Sequence, residues 1–206
     1  MEKITIALAG QPNVGKSSLI NAISNATLKV GNFSGVTVDK TEVEFTICDE
    51  VACKDYEVQI IDLPGAYSLT EYTIEEKVTK SFLQSDEYDI IVNVVDSTNL
   101  QRNLLFTTQL LETGKKVVVA LNMDDEAQNE GISIDEKQLS AILGVPCVKT
   151  SASQKLGIEA LKEAIIEVYE KEKTGGKVVY SDPVSYTHLR AHETLGSISY
   201  AVFCLK

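Results

Sequence analysis

Residues 10–17 read Gly-Gln-Pro-Asn-Val-Gly-Lys-Ser. Directly before them, Lys3 to Ala9 has the apolar, β-branched pattern of a strand, and directly after, Lys16 to Ser24 has a helical period. Gly10 and Gly15 let the backbone curl so that successive N–H groups face inward, and the N-terminus of the following helix adds positive potential at the same place. Strand, loop and helix in this order predict a phosphate-binding loop lined by Gly10, Gln11, Pro12, Asn13, Val14, Gly15, Lys16, Ser17 and Ser18. Lys16 is expected to pair with phosphate oxygens, and the Ser17 hydroxyl to ligate Mg2+.

Outward from this loop, short β-branched runs alternate with longer helical segments, the pattern of an α/β fold. Strands are predicted over Lys3 to Ala9, Glu42 to Cys48, Glu57 to Asp62, Ile90 to Asp96, Val117 to Asn122 and Pro146 to Thr150. Helices are predicted over Lys16 to Ser24, Ile74 to Gln84, Leu100 to Glu112, Ile134 to Leu143 and Ile158 to Lys171. Ser133 with Glu136 has the spacing of a capping box, and Gly144 is a stop signal. The polar link between the second and third strands predicts a hairpin, giving a six-stranded, mainly parallel sheet with one antiparallel edge strand and helices on both faces. Asn25 to Lys40 has no apolar periodicity and reads as a long functional loop.

The 206 residues are 44% hydrophobic and 24% charged, enough for one domain with a sizeable core. Nineteen Lys and Arg against thirty Asp and Glu give a net charge of -11, which argues against nucleic acid as a partner and against an anionic membrane surface. No apolar run approaches the roughly 20 residues of a membrane span, so a soluble, cytoplasmic chain is expected. Cys48, Cys53, Cys147 and Cys204 form no CxxC pair, in keeping with a reducing compartment.

A phosphate loop does not choose its base. Asn122-Met123-Asp124-Asp125 follows the fifth strand and fits an NxxD pattern. A carboxylate at Asp125 accepts from both the ring N–H and the amino group of guanine, whereas adenine would leave it unpaired. Asn122 would brace the loops, Met123 cover the base with an apolar stem, and a backbone N–H of Thr150-Ser151-Ala152 meet the guanine carbonyl. Asp62-Leu63-Pro64-Gly65 fits DxxG, with Asp62 holding Mg2+ through water and the Gly65 N–H sensing the γ-phosphate. Thr37, in Gly35-Val36-Thr37, is the expected second hydroxyl ligand of Mg2+. Val30 to Lys40 and Leu63 to Glu76 are then the two switches of a Ras-like P-loop GTPase fold that binds GTP and GDP.

The strings Val30-Gly-Asn-Phe-Ser-Gly-Val-Thr-Val-Asp, Asp62-Leu-Pro-Gly-Ala-Tyr-Ser-Leu, Asn93-Val-Val-Asp-Ser-Thr-Asn-Leu-Gln-Arg-Asn-Leu and Ala120-Leu-Asn-Met-Asp-Asp resemble the N-terminal G domain of the ferrous iron transport protein B family. The resemblance spans about residues 1 to 172. It implies a cytoplasmic regulatory domain that, in the complete protein, joins a helical domain and a membrane transport domain for Fe2+. It also implies K+ at Asn13, the position of a cation-binding Asn in that family. Hydrolysis is expected to be slow: Ala66 stands where many GTPases carry a water-orienting Gln, and neither arginine, Arg102 or Arg190, lies in a switch. Lys16, Thr37, Gly65 and Asn13 are the catalytic candidates. A ribosome-assembly or tRNA-modification GTPase, and a nucleotide-binding module with negligible hydrolysis, are the alternatives; a homo-oligomer is left open. Residues 173–206, with His188 and His192, read as a linker and a truncated or non-native, disordered tail.

Overall fold

The structure is a computed structural model that describes residues 2–24, 29–33, 38–49, 54–70, 72–85 and 87–171. Seven strands are present among the described residues: β1 Glu2–Gly10, β2 Lys29–Asn32, β3 Asp39–Asp49, β4 Lys54–Asp62, β5 Ile90–Asp96, β6 Val117–Asn122 and β7 Cys147–Lys149. The helices are α1 Lys16–Ile23, α2 Ile74–Gln84, α3 Leu100–Glu112, α4 Asp124–Asn129, α5 Glu136–Leu143 and α6 Ile158–Glu170. The sheet order is β2-β3-β4-β1-β5-β6-β7.

The central strands are buried on both faces, which is why β5 and β6 read as continuous apolar runs. Alternate residues of each strand feed opposite sides. Ile4, Ile6 and Leu8 pack with Leu19, Ile20 and Ile23 of α1 and Leu161 and Ile165 of α6. Ala7, Ala9, Ile91 and Leu121 pack with Phe82 of α2, Leu104 and Leu110 of α3, and Leu139 of α5. Helices therefore cover both faces, as the alternating pattern requires.

Two sequence expectations need correction. The sheet has seven strands, because Lys29–Asn32, inside the segment read as a loop, pairs antiparallel with β3 from Lys29↔Glu42 to Asn32↔Asp39. Backbone pairing makes that strand, so no apolar alternation announced it. The expected antiparallel edge is present but two strands wide: β3 runs antiparallel to both neighbours, and β2 is outermost. Finally, α5 begins at Glu136 and is capped by Asp135, whose side chain accepts from the Gln138 N–H; Ser133 is not the cap. The Glu136 carboxylate instead accepts from the Lys149 N–H at 3.3 Å, across to β7.

Register brings the functional segments to one edge. Leu8 lies beside Asp62 in the β1–β4 pair, Gly10 beside Val94 in the β1–β5 pair, and Asp96 beside Asn122 in the β5–β6 pair. Thr41 of β3 is paired with Asp62, so the hairpin end of β2 and β3 sits at the same edge. Its base is closed by the Phe33 N–H, which donates to the Val38 carbonyl at 3.0 Å. The Phe33 ring is buried edge-on against Phe82 of α2, with centroids 5.9 Å apart.

Candidate nucleotide-binding site

Gly10 ends β1 against β5, where a Cβ would stand 2.6 Å from the Val94 carbonyl oxygen. Asn13 follows in the left-handed region at φ 65, a conformation Asn tolerates better than most residues. Gly15 caps α1 at φ 83, and a Cβ there would meet the Asn122 amide nitrogen at 2.4 Å, so only glycine fits. No side chain caps α1 and its first turn carries no acidic residue. Its leading N–H groups and the exposed Ser17 and Ser18 are thus available to an anion.

Lys16 Nζ reaches the Gly10 and Gln11 carbonyl oxygens at 3.3 and 3.2 Å, folding back over the loop. Burial lowers its pKa, and the nearby Asp62 charge works the other way. Asp62 ends β4 with Oδ1 buried and accepting no hydrogen bond from the described residues. Burial pushes its carboxyl up to about 6, against the pull of Lys16. A buried carboxylate oxygen without a partner among the described residues suits a hard cation or its water.

The DxxG stretch is docked on the phosphate loop. The Leu63 N–H donates to Leu8, the Ala66 N–H donates to Gly10, and Thr79 of α2 donates to the Pro64 carbonyl. Gly65 lies so close to Pro12 that a Cβ would fall 2.9 Å from its Cα. Ala66 is buried.

Asn122 joins two loops. Its Nδ2 donates to the Val14 carbonyl at 2.9 Å, while its Oδ1 accepts from the Ala152 N–H at 3.1 Å and the Thr150 hydroxyl at 3.4 Å. The residue is only 2% exposed. Met123 takes the left-handed conformation at φ 60 as the cap of α4 and turns the chain so that Asp125 opens to solvent. Burial works against the Asp125 anion, but hydroxyls of Ser151 and Ser153 and two backbone N–H groups outweigh it and hold the carboxyl below its usual range.

The structure therefore gathers Gly10 to Ser18, Asp62 to Gly65, Asn122 to Asp125 and Thr150 to Ala152 at one sheet edge. The Gln11 side chain is turned away to donate to the Arg102 carbonyl at 2.8 Å. The Ala152 N–H is directed to Asn122. Gly35, Val36 and Thr37 lie outside the described residues, as do Glu71, Cys53, Arg190 and the tail from residue 172, including His188, His192 and Cys204. Sequence reasoning missed two contacts with the second switch. The Arg102 guanidinium lies 4.8 Å from the centroid of the Tyr67 ring, and Gln109 accepts from the Leu69 N–H at 2.9 Å. Both contacting residues lie on α3, seven positions apart, so a helical face was the only available signal.

Two outcomes follow. Asn122→Ala would leave the Val14 carbonyl and the Ala152 N–H without partners and is expected to cost about 2 kcal/mol, measured by chemical denaturation. A carboxyl whose pKa rises from 3.8 to about 6 on folding adds stability below about pH 3.8 that is lost as pH climbs through about 6. Without Mg2+, the Asp62 contribution is expected to fall by on the order of 3 kcal/mol across that window. Asp62→Asn should flatten this part of the stability profile; an unchanged profile would count against it.

Comparison with known proteins places the site in a family. The profile described as ferrous iron transport protein B matches residues 4–165. A Fe(2+) transporter FeoB of Helicobacter pylori is 57% identical over 180 residues, which is 86% of this chain and 27% of that protein. The chain thus spans about a quarter of the length of the curated relatives it matches. The crystal structure of the G domain of T. maritima FeoB superposes with a TM-score of 0.74 at 40% identity, covering 82% of this chain and all of that one. The GMPPNP form of the T. maritima cytosolic domain gives 0.80 at 39% identity, covering 87% of this chain and 69% of that one. With the motifs, the fold and these matches in agreement, the chain belongs to the ferrous iron transport protein B family.

Proposed function

We propose that this chain is the guanine-nucleotide switch domain of a ferrous iron transporter, binding GTP and GDP and hydrolysing GTP slowly to GDP and phosphate. The observation that carries this reading is the Asn122 tie, which makes the phosphate loop and the base-reading loops one unit. An Asp125 carboxylate held in its charged form suits the two N–H donors of guanine. Relatives solved in GDP and GMPPNP forms support the same ligand class. In this reading, residues 1–172 are the G domain and 173–206 a linker and tail, and the domain works at the cytoplasmic face of a membrane transport domain.

Residue roles follow from placement. Lys16 pairs with phosphate oxygens, the uncapped α1 N-terminus and Gly10 to Ser18 cradle them, and the Gly65 N–H meets the γ-phosphate once its stretch leaves Pro12. Ser17, Thr37 and Asp62 would hold Mg2+, which neutralises charge between the β- and γ-phosphates. Met123 and the Thr150 to Ala152 loop flank the base. Asn13 would hold K+, supplying the positive charge that an arginine supplies elsewhere. Slow turnover is expected because Ala66 has no group to orient water and its N–H is held by Gly10.

Fluorescent-analogue titration should show binding of mant-GDP and displacement by GTP but not by ATP; equal displacement by ATP would refute the assignment of the base. Single-turnover hydrolysis is expected to stay well below about 1 s⁻¹. It should run faster in KCl than in NaCl, and the K+ response should disappear in Asn13→Ala. Equal rates in the two salts would remove K+ from the site.

A further inference from the structure

The base-reading carboxylate already has partners. Asp125 Oδ2 accepts from the Gln154 amide, through Nε2, at 3.2 Å and from the Ser153 hydroxyl at 3.2 Å. Both donors come from a tight loop whose ends are locked together. The Ser151 N–H donates to the Leu156 carbonyl and the Leu156 N–H to the Ser151 carbonyl, each at 3.0 Å. Inside it, the Gln154 N–H donates to the Ser151 hydroxyl at 3.3 Å, Ser151 and Ser153 hydroxyls lie 3.0 Å apart, and Lys155 takes the left-handed conformation at φ 55. The loop thus presents Gln154 to Asp125 from a fixed base.

A carboxylate oxygen offers two lone pairs, and these two donors fill both on Oδ2. Guanine needs both carboxylate oxygens, one for its ring N–H and one for its amino group. The primary amide of Gln154 offers the same kind of donor as that amino group. We propose that Gln154 is an internal competitor of the guanine edge, a positioning residue that occupies Asp125 until a base displaces it. The inference rests on the guanine reading above and adds the group that tunes affinity at that site. Gln154 and Ser153 are exposed, so water takes up the released amide and displacement is easy. Apparent affinity is lowered only by the fraction of time the carboxylate is engaged.

Gln154→Ala removes the competitor, and Gln154→Met removes the donor while keeping the length of the side chain. Each is expected to bind mant-GDP about threefold to tenfold more tightly than the parent chain, the gain for one partly exposed hydrogen bond to a charged acceptor. The gain should be smaller for IDP, which lacks the amino group and needs a single carboxylate oxygen, because Gln154 and Ser153 occupy Oδ2 and leave Oδ1 to the ring N–H. Unchanged or weaker mant-GDP binding in both variants would overturn the proposal. So would an equal gain for IDP, since Gln154 would then not be competing for the oxygen that the amino group needs. If the parent chain bound mant-ADP as well as mant-GDP, the guanine reading would fail and this proposal with it, a result distinct from unchanged affinity in the variants.

Discussion

Asn122 stands at the end of a strand buried along its whole length, and its amide reaches into two loops more than a hundred residues apart in sequence. One nitrogen holds the phosphate loop at Val14; one oxygen holds the loop that follows β7. Because strand β6 cannot shift without disturbing both halves of the core, the amide fixes the distance between the Gly10 to Ser18 loop and the loop that follows β7. A chain with the same motifs but without this tie would carry two half-sites. Gly15 is part of the same constraint, since any Cβ there would collide with the amide.

The second organising feature is the docking of the Asp62 to Ala66 stretch on the phosphate loop through Gly65 and Pro12. It leaves the Asp62 carboxyl buried beside Lys16, where each charge answers the other against burial. Such a pair of perturbed charges beside a glycine-rich loop marks a candidate functional site. Tyr67, Tyr72 and Ile74, which follow in the chain, expose large apolar surfaces, while Leu69 between them still packs against the core. Its polar ties beyond that point run to α3, through Arg102 and Gln109, and to Glu76 of α2, which accepts from the Ser68 hydroxyl and the Tyr72 N–H.

Much of the site was legible in the sequence, because its motifs are short and each sits where a strand ends. Lys16, Asp62, Asn122 and Asp125 could be placed from local spacing, since the strand fixes where the next few residues must go. The fold class was legible for a similar reason: continuous apolar runs in β5 and β6 mark strands buried on both faces, and the helical periods between them require crossovers. The edge of the sheet was not legible. Strand β2 exists through backbone pairing with β3, and a polar strand held in that way carries no periodic signal.

The sequence by itself determined the class of fold, the strand-loop-helix around Gly10 to Ser17 and the family, because those depend on residue types at short, fixed spacings. Tertiary structure alone decided which partner each of several polar side chains takes. It set Asp135 rather than Ser133 as the cap of α5, gave the Glu136 carboxylate to β7, laid Arg102 over Tyr67, and aimed Gln154 at the carboxylate of Asp125. Each of these contacts is made by a polar side chain with several reachable partners. Which partner it takes is fixed only when packing has set the distances.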